Sequence, residues 1–322
     1  MPLTIMSTTE LRTPPKDEPF VPGGVPRDGH DRPVVVPEEG GKPIALTRMT
    51  TRIGSLEEKS NLERYYKRMV LRGASFMQAE LNQVRRLDPD DPKDKRELNR
   101  LAAKAEELSG ANDKRERGTW LHGLSEHVDR GEELPAAASE SDHRDMAAYK
   151  AATAMLKVIH IEELTVCRAL TASGTPDRVC FYDGLDPDGE PAGNLITDLK
   201  TGSVEWGELK MAMQLAGYSR SKFYDHRRFI VPGYDDEQDR AKRLAALSKW
   251  KTRTTFSAEE AAAAYTDLPN VNQRWGLIMN LPAGTGVCTV YWIDLTKGWK
   301  AALLADQVHE VRKTKVLQPF AA

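Results

Sequence analysis

The chain has 322 residues, 29% of them charged and 40% hydrophobic, and a formal net charge of −2. This suits a soluble globular protein of one sizeable domain, or one domain with an appendage, and supplies no bulk basic charge for holding nucleic acid. Its three cysteines, Cys167, Cys180 and Cys288, are far apart with no Cys-x-x-Cys pair, which excludes a four-cysteine iron–sulfur cluster within the chain and speaks against zinc and disulfide frameworks.

Residues 1–45 hold nine of the 19 prolines, from Pro2 to Pro43, with Gly-Gly pairs among them, and are expected to be a disordered Pro-rich tail. From about Ser55 to Glu107 the pattern turns helical. Leu62, Tyr65, Tyr66, Met69 and Val70 recur close to a 3.6-residue period. Asp88-Pro-Asp-Asp-Pro92 breaks that helix, a second charged one runs from about Lys93 to Leu108, and Ser109-Gly110-Ala-Asn112 ends it. Residues 46–117 thus read as a helical extension, charged with both signs. A short helix is predicted from near Thr119 to Asp129-Arg-Gly131, and another from about Ser141 to Val158. Strands follow at about Ile159–Cys167, Arg178–Tyr182 and Asn194–Lys200, the last two joined by the turn-rich stretch 183–193. Then come a helix over about Glu205–Asp225, a strand at Arg228–Val231, a basic alanine-rich helix over about Glu237–Trp250, a strand at Gly286–Ile293 and a last helix from about Trp299. No apolar run approaches the roughly 18–20 residues of a membrane helix, and no secretory signal opens the chain, so a cytoplasmic protein with no membrane partner is expected. The order of elements fits a mixed α/β sandwich.

The most informative residues are Gly174-Thr-Pro-Asp177 and Asn194-Leu-Ile-Thr-Asp198-Leu-Lys200. Alternate side chains of a strand share a face, so Asp198 and Lys200 point one way and Leu195 and Leu199 the other. Asp177 precedes the neighbouring strand of a hairpin and converges on Asp198. Two converging carboxylates offer hard oxygen ligands to Mg2+ or Mn2+. Such an ion makes a bound water nucleophilic and neutralises a scissile phosphate, with the lysine to orient the water and stabilise charge. Upstream, Gly118-Thr-Trp-Leu-His122 puts an imidazole beside a core stripe of Leu121, Leu124 and Val128, where it adds a softer ligand. Downstream, Gln214 and Tyr218 lie one helical turn apart and form a polar ridge suited to substrate. Glu163 is a further metal-ligand candidate, with Glu162 beside it in uncertain register.

Gly118-x-x-x-His122, Gly174-Thr-x-Asp177, Asp198-x-Lys200 and Gln214-x-x-x-Tyr218, in this order over about residues 118–218, resemble the motif set of RecB-type nucleases of the PD-(D/E)XK superfamily. They also resemble the CRISPR-adaptation exonucleases and their phage-encoded relatives. Leu281-Pro-Ala-Gly284, Trp292-Ile-Asp-Leu295 and Gly298-Trp299 are similar to phage members. The resemblance implies a restriction-endonuclease-like α/β core, a central mixed sheet flanked by helices, over residues 118–322. It implies His122, Asp177 and Asp198 as metal ligands, joined by the Leu199 carbonyl, with Lys200 as the catalytic lysine and Gln214 and Tyr218 on the substrate side. The four cluster cysteines of the CRISPR-adaptation relatives are missing here, so no iron–sulfur cluster is expected.

DNA is the expected partner, with a phage or host recombination protein beside it. Arg240, Lys242, Arg243, Lys249, Lys251 and Arg253 form a run with no intervening acid, with Trp250 inside it to stack on a base. Lys222, Arg227 and Arg228 precede it. The expected activity is metal-dependent DNA hydrolysis, as an exonuclease in phage or bacterial recombination, replication or repair. The alternative is a non-catalytic DNA-binding recombination accessory on the same fold.

Overall fold

In the computed structural model of the chain, residues 25–205, 207–229 and 239–317 are described. They form an α/β protein of two compact units. One draws on the chain up to Leu56, on Ala147–Pro282 and on Gly286 onward; the other on Glu57–Met146 with Ala283–Thr285. The helical unit therefore extends to Met146, past the boundary expected near residue 117, and takes the Gly118–His122 helix with it.

The first unit begins with β1 (Val34–Val35), β2 (Ile44–Ala45), β3 (Thr47–Arg48) and α1 (Met49–Ile53). The second half of the expected tail is thus folded. Val34, Val35 and Val36 are fully buried, and the Val36 N–H donates to the Tyr224 hydroxyl at 3.0 Å. Three consecutive β-branched apolar side chains outweigh the prolines around them, because burial of their surface offsets the cost of ordering the chain. Residues 1–24 lie outside the described residues.

The helical unit holds α2 (Ser60–Ala74), α3 (Gln78–Val84), α4 (Pro92–Leu108) and α5 (Asp113–Arg130), and α6 (Glu140–Thr153) leads out of it. Asp91 caps α4, accepting from the Lys93 and Asp94 amides, and Pro92 occupies the first turn, where its missing donor costs nothing. Gly73 of α2 meets the backbone of Ala105 so closely that a Cβ there would collide with it, which fixes the α2–α4 crossing. Met77, Leu101 and Ala105 form the small core of this unit, with Val70, Ala74 and Val84 against them.

Back in the first unit come β4 (Leu156–Ile161), β5 (Thr165–Cys167), β6 (Ala172–Gly174), β7 (Arg178–Leu185), β8 (Pro191–Lys200), α7 (Glu208–Tyr218) and β9 (Lys222–Tyr224). After them come α8 (Arg240–Arg253), α9 (Ala258–Ala262), β10 (Tyr265–Asp267), β11 (Trp275–Asn280), β12 (Thr289–Asp294) and α10 (Leu295–Val311). One five-stranded sheet has the order β12-β11-β8-β7-β4, mixed because β8 and β11 run parallel while the other neighbours are antiparallel. A second has the order β10-β9-β5-β6-β3.

The strand expected over Ile159–Cys167 is in fact two, β4 and β5, in different sheets. The break falls at Glu162, whose φ of 51° lies in the left-handed region. The strand expected at Arg228–Val231 is not formed in its described part: His226–Arg228 make a turn of 3-10 helix, and residues 230–231 lie outside the described residues. β11 was not expected.

Val179, Ile196 and Ile278, from three adjacent strands of the first sheet, point at α7 and α10 and form the main core with Met49, Met213, Leu215 and Leu295. Gly298 of α10 lies against Ala212 of α7, and a Cβ there would overlap the Ala212 backbone, which cannot yield. Gly298→Ala is expected to destabilise this unit by about 1–3 kcal/mol, the usual cost of forcing atoms into a packed contact. Urea unfolding followed by tryptophan fluorescence measures it, and an unchanged midpoint would show the helix pair to be adaptable.

Candidate active site

The hairpin β7–β8 pairs Arg178 with Thr197, which sets Asp177, one residue before β7, opposite Asp198. The Leu199 N–H donates to Asp177 Oδ2 at 2.8 Å, holding that carboxylate over the end of β8. Asp198 is only 2% exposed and shares the core-facing side of β8 with Ile196. Lys200, two residues on and on the same side, forms an ion pair with Asp198 Oδ2 while its side chain stays 31% exposed. The strand end carrying Lys200 is pinned from β11. Asn280 donates to the carbonyls of Lys200 at 3.0 Å and Gly202 at 2.7 Å, and the Leu281 N–H donates to the Lys200 carbonyl at 2.8 Å.

α7 brings the amide and the phenol. Gln214 Nε2 donates to Asp198 Oδ1 and to the Tyr218 hydroxyl, both at 3.4 Å. Gly174 makes room for that phenol: a Cβ on it would stand 2.8 Å from the Tyr218 ring and hydroxyl. The glycine of the Gly174–Asp177 motif thus seats the tyrosine of the Gln214–Tyr218 motif. Burial pushes the Tyr218 hydroxyl far above its ordinary range. The Gln214 bond opposes this in part, and the charges of Asp198, Asp177 and Glu162 add to the rise. The Tyr218 hydroxyl is therefore neutral in this arrangement and acts as a hydrogen-bonding group.

Of the two adjacent glutamates, Glu162 is the one whose charge reaches this cluster, and its N–H donates to the Asp177 carbonyl at 3.1 Å. The Glu163 carboxylate pairs instead with His160 Nδ1 at 2.8 Å. Glu162 itself carries a left-handed backbone, with a φ of 51°, which the strand pattern did not reveal. His122 is half-buried on α5 of the helical unit, beside the buried Leu121 and Leu124. The Leu199 side chain is fully buried.

The basic run divides. Lys242 and Lys249 of α8 are exposed, and Arg243 and Lys251 are half-buried. The side chains of Arg240 and Arg253 lie outside the described residues. Trp250, expected to stack on a base, is 4% exposed and sits in a second core with Val34, Leu247 and Phe229, edge-on to His226. Leu247 and Trp250 lie three residues apart and mark the inner face of α8. Lys222 pairs with Glu38 and Asp267, and Arg227 with Asp225.

The donors at the hairpin end suit a hard cation. Mg2+ takes one or two protein carboxylates and otherwise keeps water or substrate phosphate, and Asp177 with Asp198 supplies that much. Among the described residues no group of three or more His, Cys, Asp or Glu side chains is disposed to hold a metal ion, and no helix is long and apolar enough to cross a membrane. No protein-family model matches the chain, and no curated protein matches it.

Proposed function

We propose that the chain is a divalent-metal-dependent deoxyribonuclease with a PD-(D/E)XK core, acting as an exonuclease in phage or bacterial DNA recombination, replication or repair. The observation that carries this reading is the meeting of Asp177, Asp198 and Lys200 at one end of a hairpin, with Gln214 and Tyr218 beside them. A buried carboxylate costs stability unless it is paired, and an apolar side chain would fill the end of β8 more cheaply. The arrangement is therefore better explained by chemistry than by packing.

Asp177 and Asp198 would hold Mg2+ or Mn2+, with the Leu199 carbonyl as a further oxygen. The bound ion would supply a nucleophilic water at neutral pH and neutralise the phosphate. Lys200, partly exposed and tied at its backbone, would orient that water and stabilise the charge that grows on the phosphate oxygens. Gln214 and the neutral Tyr218 hydroxyl hold a substrate oxygen. The exposed cations of α8, Lys242 and Lys249, are suited to the strand's phosphates.

End-labelled linear DNA and closed-circular DNA, each incubated with Mg2+, Mn2+ or EDTA, form the test. Metal-dependent loss of the linear form alone, absent in Asp198→Ala and Lys200→Ala, is the expected result. Binding of DNA in EDTA with no cleavage under any metal would replace this reading with a non-catalytic DNA-binding accessory.

A further inference from the structure

We infer that the outer face of α2, in the helical unit, is a second contact surface for the phosphate backbone of DNA. The inference rests on the reading of the protein as DNA-directed and stands apart from the carboxylate site. Arg64, Lys67, Arg68 and Arg72 are all exposed, and Glu63 is the only acid in the helix. Outside α2, residues 57–146 carry 13 Lys or Arg and 19 Asp or Glu. Lys104 of α4 pairs with Glu80 of α3, Arg100 with Glu97, and Arg130 with Glu126. Among the described residues, Lys67, Arg68 and Arg72 form no ion pair, and Arg64 bonds to the Asn61 side chain and lies within reach of the Glu58 charge. In a chain of net charge −2 this is a concentrated positive strip.

Helix geometry gives the strip its shape. Arg64, Arg68 and Arg72 recur every four residues and share one face, with Lys67 beside them, over a span of about 12 Å. Measured along the duplex axis, that length covers about three or four base-pair steps of 3.4 Å. Like charges four residues apart repel one another and weaken the free helix, and a polyanion laid along them relieves that repulsion. Most of the apolar side of α2 is already used: Gly73 packs on Ala105, and Val70 and Ala74 on the Met77–Leu101 core, with Leu62 left exposed near its start. A membrane-surface helix needs such a face free for lipid. A protein partner needs an apolar centre, and the cationic face offers only Leu71. Cations and little else suit a backbone contact.

The test is equilibrium binding of the full chain to a fluorescent 30-base-pair duplex in EDTA, across a salt series. The variant Arg64→Gln/Lys67→Gln/Arg68→Gln/Arg72→Gln keeps good helix formers at all four positions. The control Lys93→Gln/Lys95→Gln/Arg96→Gln/Arg100→Gln removes the same charge from α4. The α2 variant is expected to bind more than tenfold more weakly at 0.1 M salt and to lose about three to four from the slope of log K against log salt, roughly one per phosphate contact. Its far-UV circular dichroism and unfolding midpoint stay at wild-type values or above. Equal behaviour of the α2 variant and the control would overturn the inference, as would α2-dependent binding to phosphatidylserine vesicles without any to DNA. Cleavage by the wild type in Mg2+ separates the two readings. Cleavage with α2-independent binding sinks this inference alone, and α2-dependent binding without cleavage sinks the nuclease alone.

Discussion

Changing Asp198→Asn and Lys200→Met together gives a protein about as stable as the wild type that does not cleave DNA. Each single change is expected to be worse in one respect. Lys200→Met strips the counter-charge from a carboxylate that is 2% exposed. Removing one partner of a buried ion pair costs about 3–5 kcal/mol, and the partial exposure of Lys200 reduces this to about 2 kcal/mol. Asp198→Asn keeps the oxygen that accepts from Gln214, loses the charge, and leaves Lys200 free to turn outward, so its stability cost is smaller. In the double variant the buried charge and its partner disappear together, and the cycle shows a coupling of about the size of the Lys200→Met loss. Activity follows a different pattern. Each single change removes charge stabilisation that the reaction needs, worth about a hundredfold or more, and the double falls no further than the worse single because the residues act as one unit. Urea unfolding and end-labelled DNA cleavage on the same four proteins supply both readouts. If the double variant is folded and still cleaves, Asp198 and Lys200 form a structural pair and the catalytic centre lies elsewhere.

The site residues the structure brings together are those whose spacing translates directly into a shared face. Asp198 and Lys200 follow the two-residue period of a strand, and Gln214 and Tyr218 the turn of a helix. Asp177 was placed by the hairpin. Glu162 and Glu163 stayed in uncertain register because a left-handed backbone at an ordinary L-residue is a conformation that no periodicity announces. The seat that Gly174 provides for Tyr218 joins residues 44 apart in the sequence, and neither motif alone implies it.

β11 escaped notice for a related reason. It lies between β8 and β12, and from Gly276 to Asn280 every residue is buried, so the sequence Trp-Gly-Leu-Ile-Met-Asn shows no alternation. Yet this strand carries Asn280, which ties down Lys200. Trp250 was misassigned because its flanking lysines suggested solvent, whereas its spacing from Leu247 already marked a buried stripe. The folded segment from 25 to 45 depends on partners such as Tyr224, 188 residues from Val36, which no local pattern shows.

Acid is expected to loosen the second core of the sheet-bearing unit through His226. This imidazole is 4% exposed, ringed by Tyr224, Phe229 and Trp250. Its Nδ1 lies 3.1 Å from the Tyr224 hydroxyl, which in turn accepts from the Val36 N–H. Those two bonds fit a neutral ring that accepts the Tyr224 proton. Burial lowers its pKa from 6.5 to about 4, with the charge of Asp225 acting weakly in the opposite sense. Between these values the unfolded chain takes up a proton that the folded chain does not. The stability His226 permits is therefore fully present above pH 6.5 and is lost progressively as pH falls towards 4. At pH 5 the loss amounts to about 2 kcal/mol relative to pH 7.5. His226→Asn offers an amide oxygen to Tyr224 and does not titrate, so the difference in unfolding free energy between pH 7.5 and pH 5 should shrink by that amount, whatever the absolute stability of the variant. Tryptophan fluorescence during urea unfolding reports on it through Trp250, which stands edge-on to the imidazole at 5.6 Å. An equal loss in wild type and variant would place the acid sensitivity in other groups and return His226 to the role of an inert core residue.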